Sequence, residues 1–155
     1  MQIELPASIG VVSDTHGTLD PAVCELFEGV DLIVHAGDIG GTGILLELEA
    51  IAPTLAVRGN TDHGPWAETL PESVSFRAGD VIIWVVHDET ALPAPAGVNV
   101  IVSGHTHRPA SRRARGVLHL NPGSAAVPRG RAPHPTVATL QIDSDGSLSG
   151  RIHRL

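Results

Sequence analysis

Apolar positions in the first sixty residues switch between two periods. Residues 8–13 form a short apolar, β-branched run ending in polar residues, the pattern of a buried strand. Asp20 and Pro21 then open a segment in which Ala22, Val23, Leu26, Phe27 and Val30 recur at helical spacing. The proline suits a first helical position. Residues 31–36 predict a second strand. Residues 42–51, with Ile44, Leu45, Leu48 and Ile51 on one face, predict a second helix, and 54–58 a third strand. The order β-α-β-α-β implies a parallel sheet with right-handed crossovers.

The second half changes character. Residues 74–77 and 81–86 flank Ala78, Gly79 and Asp80 and predict an antiparallel hairpin. A further strand is expected at 98–103. Runs at 110–113 and 117–120 flank Arg115 and Gly116, and runs at 136–142 and 147–152 flank the turn residues 143–146. Proline-rich stretches at 92–95 and 128–135 read as surface loops. The architecture this pattern draws is a mixed β-sandwich flanked by helices.

Bulk properties narrow the class. A chain of 155 residues with 42% hydrophobic and 17% charged residues suits a single globular domain, 1–155, with a full core. The longest apolar run, residues 81–86, is far below the roughly 18 residues of a membrane span, so no membrane association is expected. Cys24 is the one cysteine, which excludes an internal disulfide or a Cys-based zinc site and points to a reducing, cytoplasmic setting. Lying beside helix core positions, it is expected to be a small buried side chain. Charge is uneven: −13 over residues 1–107 and +6 over 108–155, with no lysine anywhere. An acidic chain of this kind is a poor general binder of nucleic acid. Its arginine-rich last third reads as a solvated hairpin or an attractor of anionic substrate.

The chemistry lies in where polar residues fall. Asp14 and His16 follow the first strand, Gly37–Asp38 the second, Gly59–Asn60 the third, His87 the strand 81–86, and Gly104–His105–Thr106–His107 the next. In open α/β sheets, ligands bind beyond the carboxyl ends of strands. Seven metal-competent side chains would therefore share one site: Asp14, His16, Asp38, Asn60, His87, His105 and His107. In extended chain, side chains two apart point the same way, so Asp14 with His16, and His105 with His107, can reach one centre. Gly37, Gly59 and Gly104 sit where backbone must turn and approach closely.

These five blocks, Asp-x-His, Gly-Asp, Gly-Asn, His and Gly-His-x-His, resemble the calcineurin-like metallophosphoesterase family from Ile9 to about Ser124. Size and the segment Asn121–Pro122–Gly123–Ser124 are similar to its small prokaryotic phosphodiesterase branch. The resemblance implies an α/β fold, a four-layer α-β-β-α sandwich of two mixed β-sheets flanked by helices. It implies that Asp14, His16, Asp38 and His107 hold one metal and that Asp38, Asn60, His87 and His105 hold a second. Asp38 bridges, and Asp38, Asn60 and His105 are assigned to catalysis. Imidazole and oxygen donors together suit two divalent transition-metal ions, manganese first, with iron, zinc or nickel as alternatives. Such a pair, ~3.5–4 Å apart, makes a bridging hydroxide at neutral pH that attacks phosphorus in a phosphodiester. The partner expected is a small phosphate ester, and exposed edge strands allow a homodimer.

Two departures from the family pattern stand out. Many members carry a leaving-group histidine directly after Gly-Asn; here that residue is Thr61, with His63 two positions on as a candidate substitute. Without a donor, aryl esters would be cleaved well and alkyl esters poorly. After His87 the chain has Asp88 and Glu89, so Asp88 is either a support for His87 or a loop carboxylate. His35, next to Ala36 and Gly37, is a further candidate support. His119, His134 and His153 fit no ligand spacing. Segment 121–124 is either a plain turn or a device that meets substrate or orders His107. The alternative functions are a phosphomonoesterase or phosphatase, and a non-catalytic protein-binding scaffold of the same fold, as in a retromer subunit.

Overall fold

The computed structural model describes residues 1–128 and 133–155; the expected loop at 128–135 therefore lies partly outside the described residues. In chain order the elements are β1 (Gln2–Ile3), β2 (Ala7–Val12), α1 (Ala22–Leu26), β3 (Leu32–His35), α2 (Thr42–Glu49), β4 (Thr54–Ala56) and α3 (Pro65–Glu68). There follow β5 (Ser73–Ala78), β6 (Val81–Val86), β7 (Val100–Val102), β8 (Ala110–Ala114), β9 (Val117–Asn121), β10 (Thr136–Ile142) and β11 (Leu148–Arg154). No helix among them is long and apolar enough to cross a membrane.

Two mixed sheets stack face to face. One runs β11-β10-β2-β3-β4, the other β1-β5-β6-β7-β9-β8. Strands β2, β3 and β4 are parallel, with Val11 opposite Val34 and Ile33 opposite Thr54, as the alternating first half requires. β10 pairs antiparallel on the free side of β2. In the second sheet β6, β7 and β9 are parallel, while the β5–β6 and β8–β9 hairpins are antiparallel.

Alternation along each strand decides which layer it feeds. Ile9, Val11 and Val34 face the other sheet and meet Ile83, Val85, Val102 and Leu120 in the central core. Val12, Ile33 and Val137 point outward, onto Val23, Phe27, Ile44 and Leu48 of the helical layer. Gly10 lies under Phe27, where a Cβ would come 2.8 Å from the ring. The helices thus flank the five-stranded sheet. Over the outer face of the six-stranded sheet, the described residues place a loop carrying Leu92 and Val98 against Trp84, Val86 and Ile101.

Cys24 is exposed, contrary to the sequence expectation. α1 is only five residues long, so its buried face is Val23 with Phe27 just beyond, and Cys24 falls on the solvent side.

Candidate metal centre

Because β2, β3, β4, β6 and β7 run the same way within their sheets, the segments that follow them gather at one edge of the sandwich. Backbone hydrogen bonds stitch these segments together: Asp14 N–H to Gly37 O (3.0 Å), His16 N–H to Asp38 O (3.0 Å) and Gly104 N–H to His87 O (2.9 Å). The glycines permit this closeness. A Cβ on Gly37 would meet His87 Nδ1 at 2.7 Å, and one on Gly104 would meet Asp14 Oδ2 at 2.6 Å; on Gly59 it would run into the Asp38 backbone.

The route by which these neighbouring side chains converge differs from the sequence expectation. Asp14, His16, Asp38, His105 and His107 all have positive φ, from 47° to 70°. Asp14/His16 and His105/His107 are therefore left-handed turns, not extended pairs. Each turn swings its side chains inward after the strand has ended, at a cost of about 1–3 kcal/mol per residue.

The seven expected side chains come together at this edge, and His16, Asp38, Asn60, His105 and His107 line its cleft. The donor atoms of Asp14, His16, Asp38 and His107 lie within 4.8 Å of one another. His107 Nε2 stands 3.1 Å from Asp14 Oδ1 and 3.4 Å from His16 Nε2. His16 Nε2 is 3.9 Å from both Asp14 and Asp38. On the other side of Asp38, His87 Nε2 approaches Asp38 Oδ2 at 3.4 Å and Asn60 Oδ1 at 2.9 Å. Asn60 Oδ1 is in turn 3.2 Å from His105 Nδ1. Asp38 belongs to both groups.

Proton placement shows what these contacts are. His107 Nδ1–H donates to the Val127 carbonyl at 2.5 Å, and His87 Nδ1–H donates to the Ala36 carbonyl at 2.7 Å. In the neutral rings, both Nε2 lone pairs then face oxygen acceptors. Asp14 is fully buried, and its Oδ1 has no hydrogen-bond partner; among the described residues it is the one buried side-chain polar atom in that position. Lone pairs converging on lone pairs in a buried site are costly unless a cation lies among them. Imidazoles fixed through their far nitrogen to backbone carbonyls are typical of metal ligands. The residues present fit a divalent metal.

Electrostatics agree. Burial, the largest single influence on Asp38, pushes its pKa up, but hydrogen bonds from His87 and Thr61 outweigh it and hold the carboxyl well below the usual range. Burial likewise pushes His87 down, and contacts with Asp38, the Ala36 carbonyl and Asp14 overcome it, leaving the imidazole raised. His87 thus responds to the same oxygens that a cation would share with it.

The supporting residues fall partly where expected. His35 is fully buried and sits behind the cleft. Thr15 Oγ donates to the Ile39 carbonyl (2.7 Å), so His35 Nε2–H donates to Thr15 Oγ (2.9 Å) and His35 Nδ1 accepts from Gly37 N–H (3.1 Å). The ring ties the Asp14–His16 segment to the Asp38 segment. Burial first, then the neighbouring His87 and His16 against a partial counterweight from Asp38, lower its pKa to about 3. Asp88 does not support His87; it accepts hydrogen bonds from Thr90 and lies 3.9 Å from His105 Nε2. Backbone pairing of Gly104 with His87 brings the His105 segment alongside and leaves the Asp88 carboxylate on that side. Thr61 donates its N–H to Asp38 Oδ1 (2.9 Å) and lines the cleft, whereas His63 lines an adjoining cavity.

Four further residues organise the site. The Asp62 carboxylate accepts N–H groups from Ile39 (2.9 Å), Gly40 (3.1 Å) and Gly59 (2.9 Å), clamping the Asp38 and Asn60 loops together. Ser13 Oγ donates to Asp14 Oδ2 at 2.5 Å. Ser124 Oγ donates to the Asp14 carbonyl (2.7 Å), and Asn121 Nδ2 to the Gly104 carbonyl (2.9 Å). Segment 121–124 therefore orders both histidine-bearing turns. His119 pairs with Glu89 at 2.8 Å and His153 with Thr139 at 2.8 Å, away from the cleft.

Comparison with known proteins follows the same lines. Residues 8–145 match the family model for the calcineurin-like phosphoesterase superfamily domain. The chain is 38% identical over 152 residues to a probable metallophosphoesterase of Methanothermobacter thermautotrophicus, spanning 88% of this chain and 87% of that one. It is 30% identical over 155 residues to phosphodiesterase YfcE of Escherichia coli, spanning 78% and 80%. The solved YfcE structure superposes with a TM-score of 0.71 at 25% identity, over 93% of this chain and 98% of that one. A Vps29 from Entamoeba histolytica superposes with a TM-score of 0.75 over 96% and 99%, at 19% identity, a likeness of fold.

Proposed function

The chain belongs to the calcineurin-like phosphoesterase superfamily, and on that premise we propose that it hydrolyses phosphodiesters with two bound divalent metal ions. The observation that carries the reading is the set of lone pairs aimed inward from Asp14, His107 and His87, with Asp14 Oδ1 buried and unpartnered. Asp14, His16, Asp38 and His107 would hold one ion, and Asp38, Asn60, His87 and His105 the other. Their mixed nitrogen and oxygen chemistry favours manganese, with iron, zinc or nickel able to substitute. Bound there, two such ions supply hydroxide near neutral pH and offset charge on the phosphoryl oxygens.

The chain's own part is orientation. Asp38, fixed through Oδ1 by Thr61 N–H, keeps Oδ2 toward both groups of donors. Asn60 and His105 line both the cleft, about 310 Å³, and the larger cavity beside it, and so stand where a phosphate ester would enter. Preference for diesters follows the 30% identical relative named a phosphodiesterase.

The test is a rate comparison on chelator-stripped protein reloaded with manganese. Bis(p-nitrophenyl) phosphate should turn over at least about tenfold faster than p-nitrophenyl phosphate, with activity lost on stripping and regained on reloading. Faster monoester turnover would make it a phosphatase. Full metal content with neither ester cleaved would leave a binding scaffold.

A further inference from the structure

The two acids that follow His87 take different partners. Glu89 pairs with His119 (2.8 Å) and Arg112 (3.4 Å). Asp88 lines the cavity of about 480 Å³ beside the metal cleft, together with Asn60, His87 and His105. Its two carboxylate oxygens are differently engaged. Oδ1 accepts the Thr90 N–H (3.0 Å) and the Thr90 hydroxyl (2.7 Å), while Oδ2 faces His105 Nε2 at 3.9 Å. Resting on the two-metal reading above, we infer that Asp88 is a positioning residue for His105, holding that ring so that Nδ1 faces the ion shared with Asn60 and His87.

Two other rings of the site show what His105 lacks. His87 and His107 each spend Nδ1 on a backbone carbonyl, of Ala36 or of Val127, and present Nε2 to the site. His105 is turned the other way, with Nδ1 3.2 Å from Asn60 Oδ1. Packing does not fix it, since its side chain is 44% exposed. It meets the His87 ring edge-on, with centroids 5.1 Å apart. A half-turn of the imidazole would keep that contact and put a carbon where Nδ1 now stands, so shape does not choose the orientation.

A carboxylate behind the ring does choose. With Nε2–H directed at Asp88 Oδ2, the Nδ1 lone pair is left for a cation, and the negative charge makes the ring a better donor. At 3.9 Å the pair closes by a small rotation of the ring or through one bridging water. The two Thr90 bonds keep the carboxylate from turning away. The fold supplies the placement: Gly104 N–H to His87 O (2.9 Å) sets the two segments side by side, bringing Asp88 abreast of His105.

Asp88→Asn tests this with little change of shape: the amide oxygen can still accept from Thr90, while an NH₂ group replaces the oxygen facing Nε2. Manganese is titrated into chelator-stripped protein by calorimetry, and electron paramagnetic resonance distinguishes a coupled pair of ions from a lone one. Removing the outer partner of a ligating histidine costs about 10- to 100-fold in metal affinity. D88N is expected to weaken the ion at Asn60, His87 and His105 by about that factor, and the other by less than about twofold. In a His105→Gln background the same change should cost less than about twofold. Equal weakening of both ions, no weakening, or the same loss without the His105 ring would overturn the assignment. A wild type that binds two manganese ions but cleaves no diester would refute the phosphodiesterase reading and leave Asp88 its role. A wild type that binds fewer than two would sink both.

Discussion

His35 shows how a single buried ring can brace the site without lining its cleft. Both nitrogens are spent, one donating to Thr15 Oγ and one accepting from Gly37 N–H, so the neutral ring is the form the fold binds. Its pKa is lowered to about 3 from an ordinary 6.5. The unfolded chain takes up a proton below pH 6.5 and the folded chain does not until about 3. Stability from this ring is therefore complete above pH 6.5 and lost as pH falls through that window. The slope is up to about 1.4 kcal/mol per pH unit. Urea unfolding of metal-free protein should show that slope in wild type and a flatter one in His35→Gln; equal slopes would contradict the role. That these seven side chains would gather at one edge was legible because Asp, Asn and His stood at strand ends. Their supports were not. Ser13, Asp62 and Ser124 are residue types common in any turn, and Ser124 meets its partner Asp14 across 110 positions of sequence. Nor did the sequence reveal that five of these residues are left-handed: nothing in Asp-x-His distinguishes a tight turn from extended chain.

At the level of elements, the joints between loops matter more than the loops themselves. The segment after β7 reaches the end of β2 through His105 N–H to Asp14 Oδ2 (3.1 Å), and Gly104 makes the approach possible. A Cβ at Gly104 would press on Ser13 Oγ and Asp14 Oδ2. Gly104→Ala should therefore push His105 and His107 away from Asp14. Elemental analysis after reloading should find at most half the wild-type metal, with far-ultraviolet circular dichroism unchanged; full occupancy would contradict it. The hairpin β5–β6 and the β2-α1-β3-α2-β4 run were legible because turn residues and apolar period agree locally. α1 stops at Leu26 although apolar spacing continues to Val30, because Phe27 leaves helical geometry (φ −99°, ψ 6°) and Gly29 turns left-handed. β1 has two residues and α3 four, too short for periodicity to register. β1 exists only because β5 offers an edge.

Across the whole molecule, the sandwich gathers loop segments that lie far apart in sequence. The parallel halves could be read from the alternation of strands and helices, but sheet order could not. β10 lies beside β2, with Ala138 opposite Val11, and that choice depends on which edge of the finished sheet is free. The charge split also takes on shape: the arginine-bearing strands β8 and β11 form an edge of each sheet. Ser111 Oγ to Gly150 O (2.9 Å) and Arg113 to Leu148 O (2.9 Å) tie those edges together, away from the metal cleft. The account rests on two cations seated between the ends of separate strands. The most direct measurement is anomalous X-ray diffraction from crystals grown with manganese. Two peaks per chain are expected, one among Asp14, His16, Asp38 and His107 and one among Asp38, Asn60, His87 and His105. An absence of anomalous density within reach of Asp38, or peaks only at other surface sites, would contradict it.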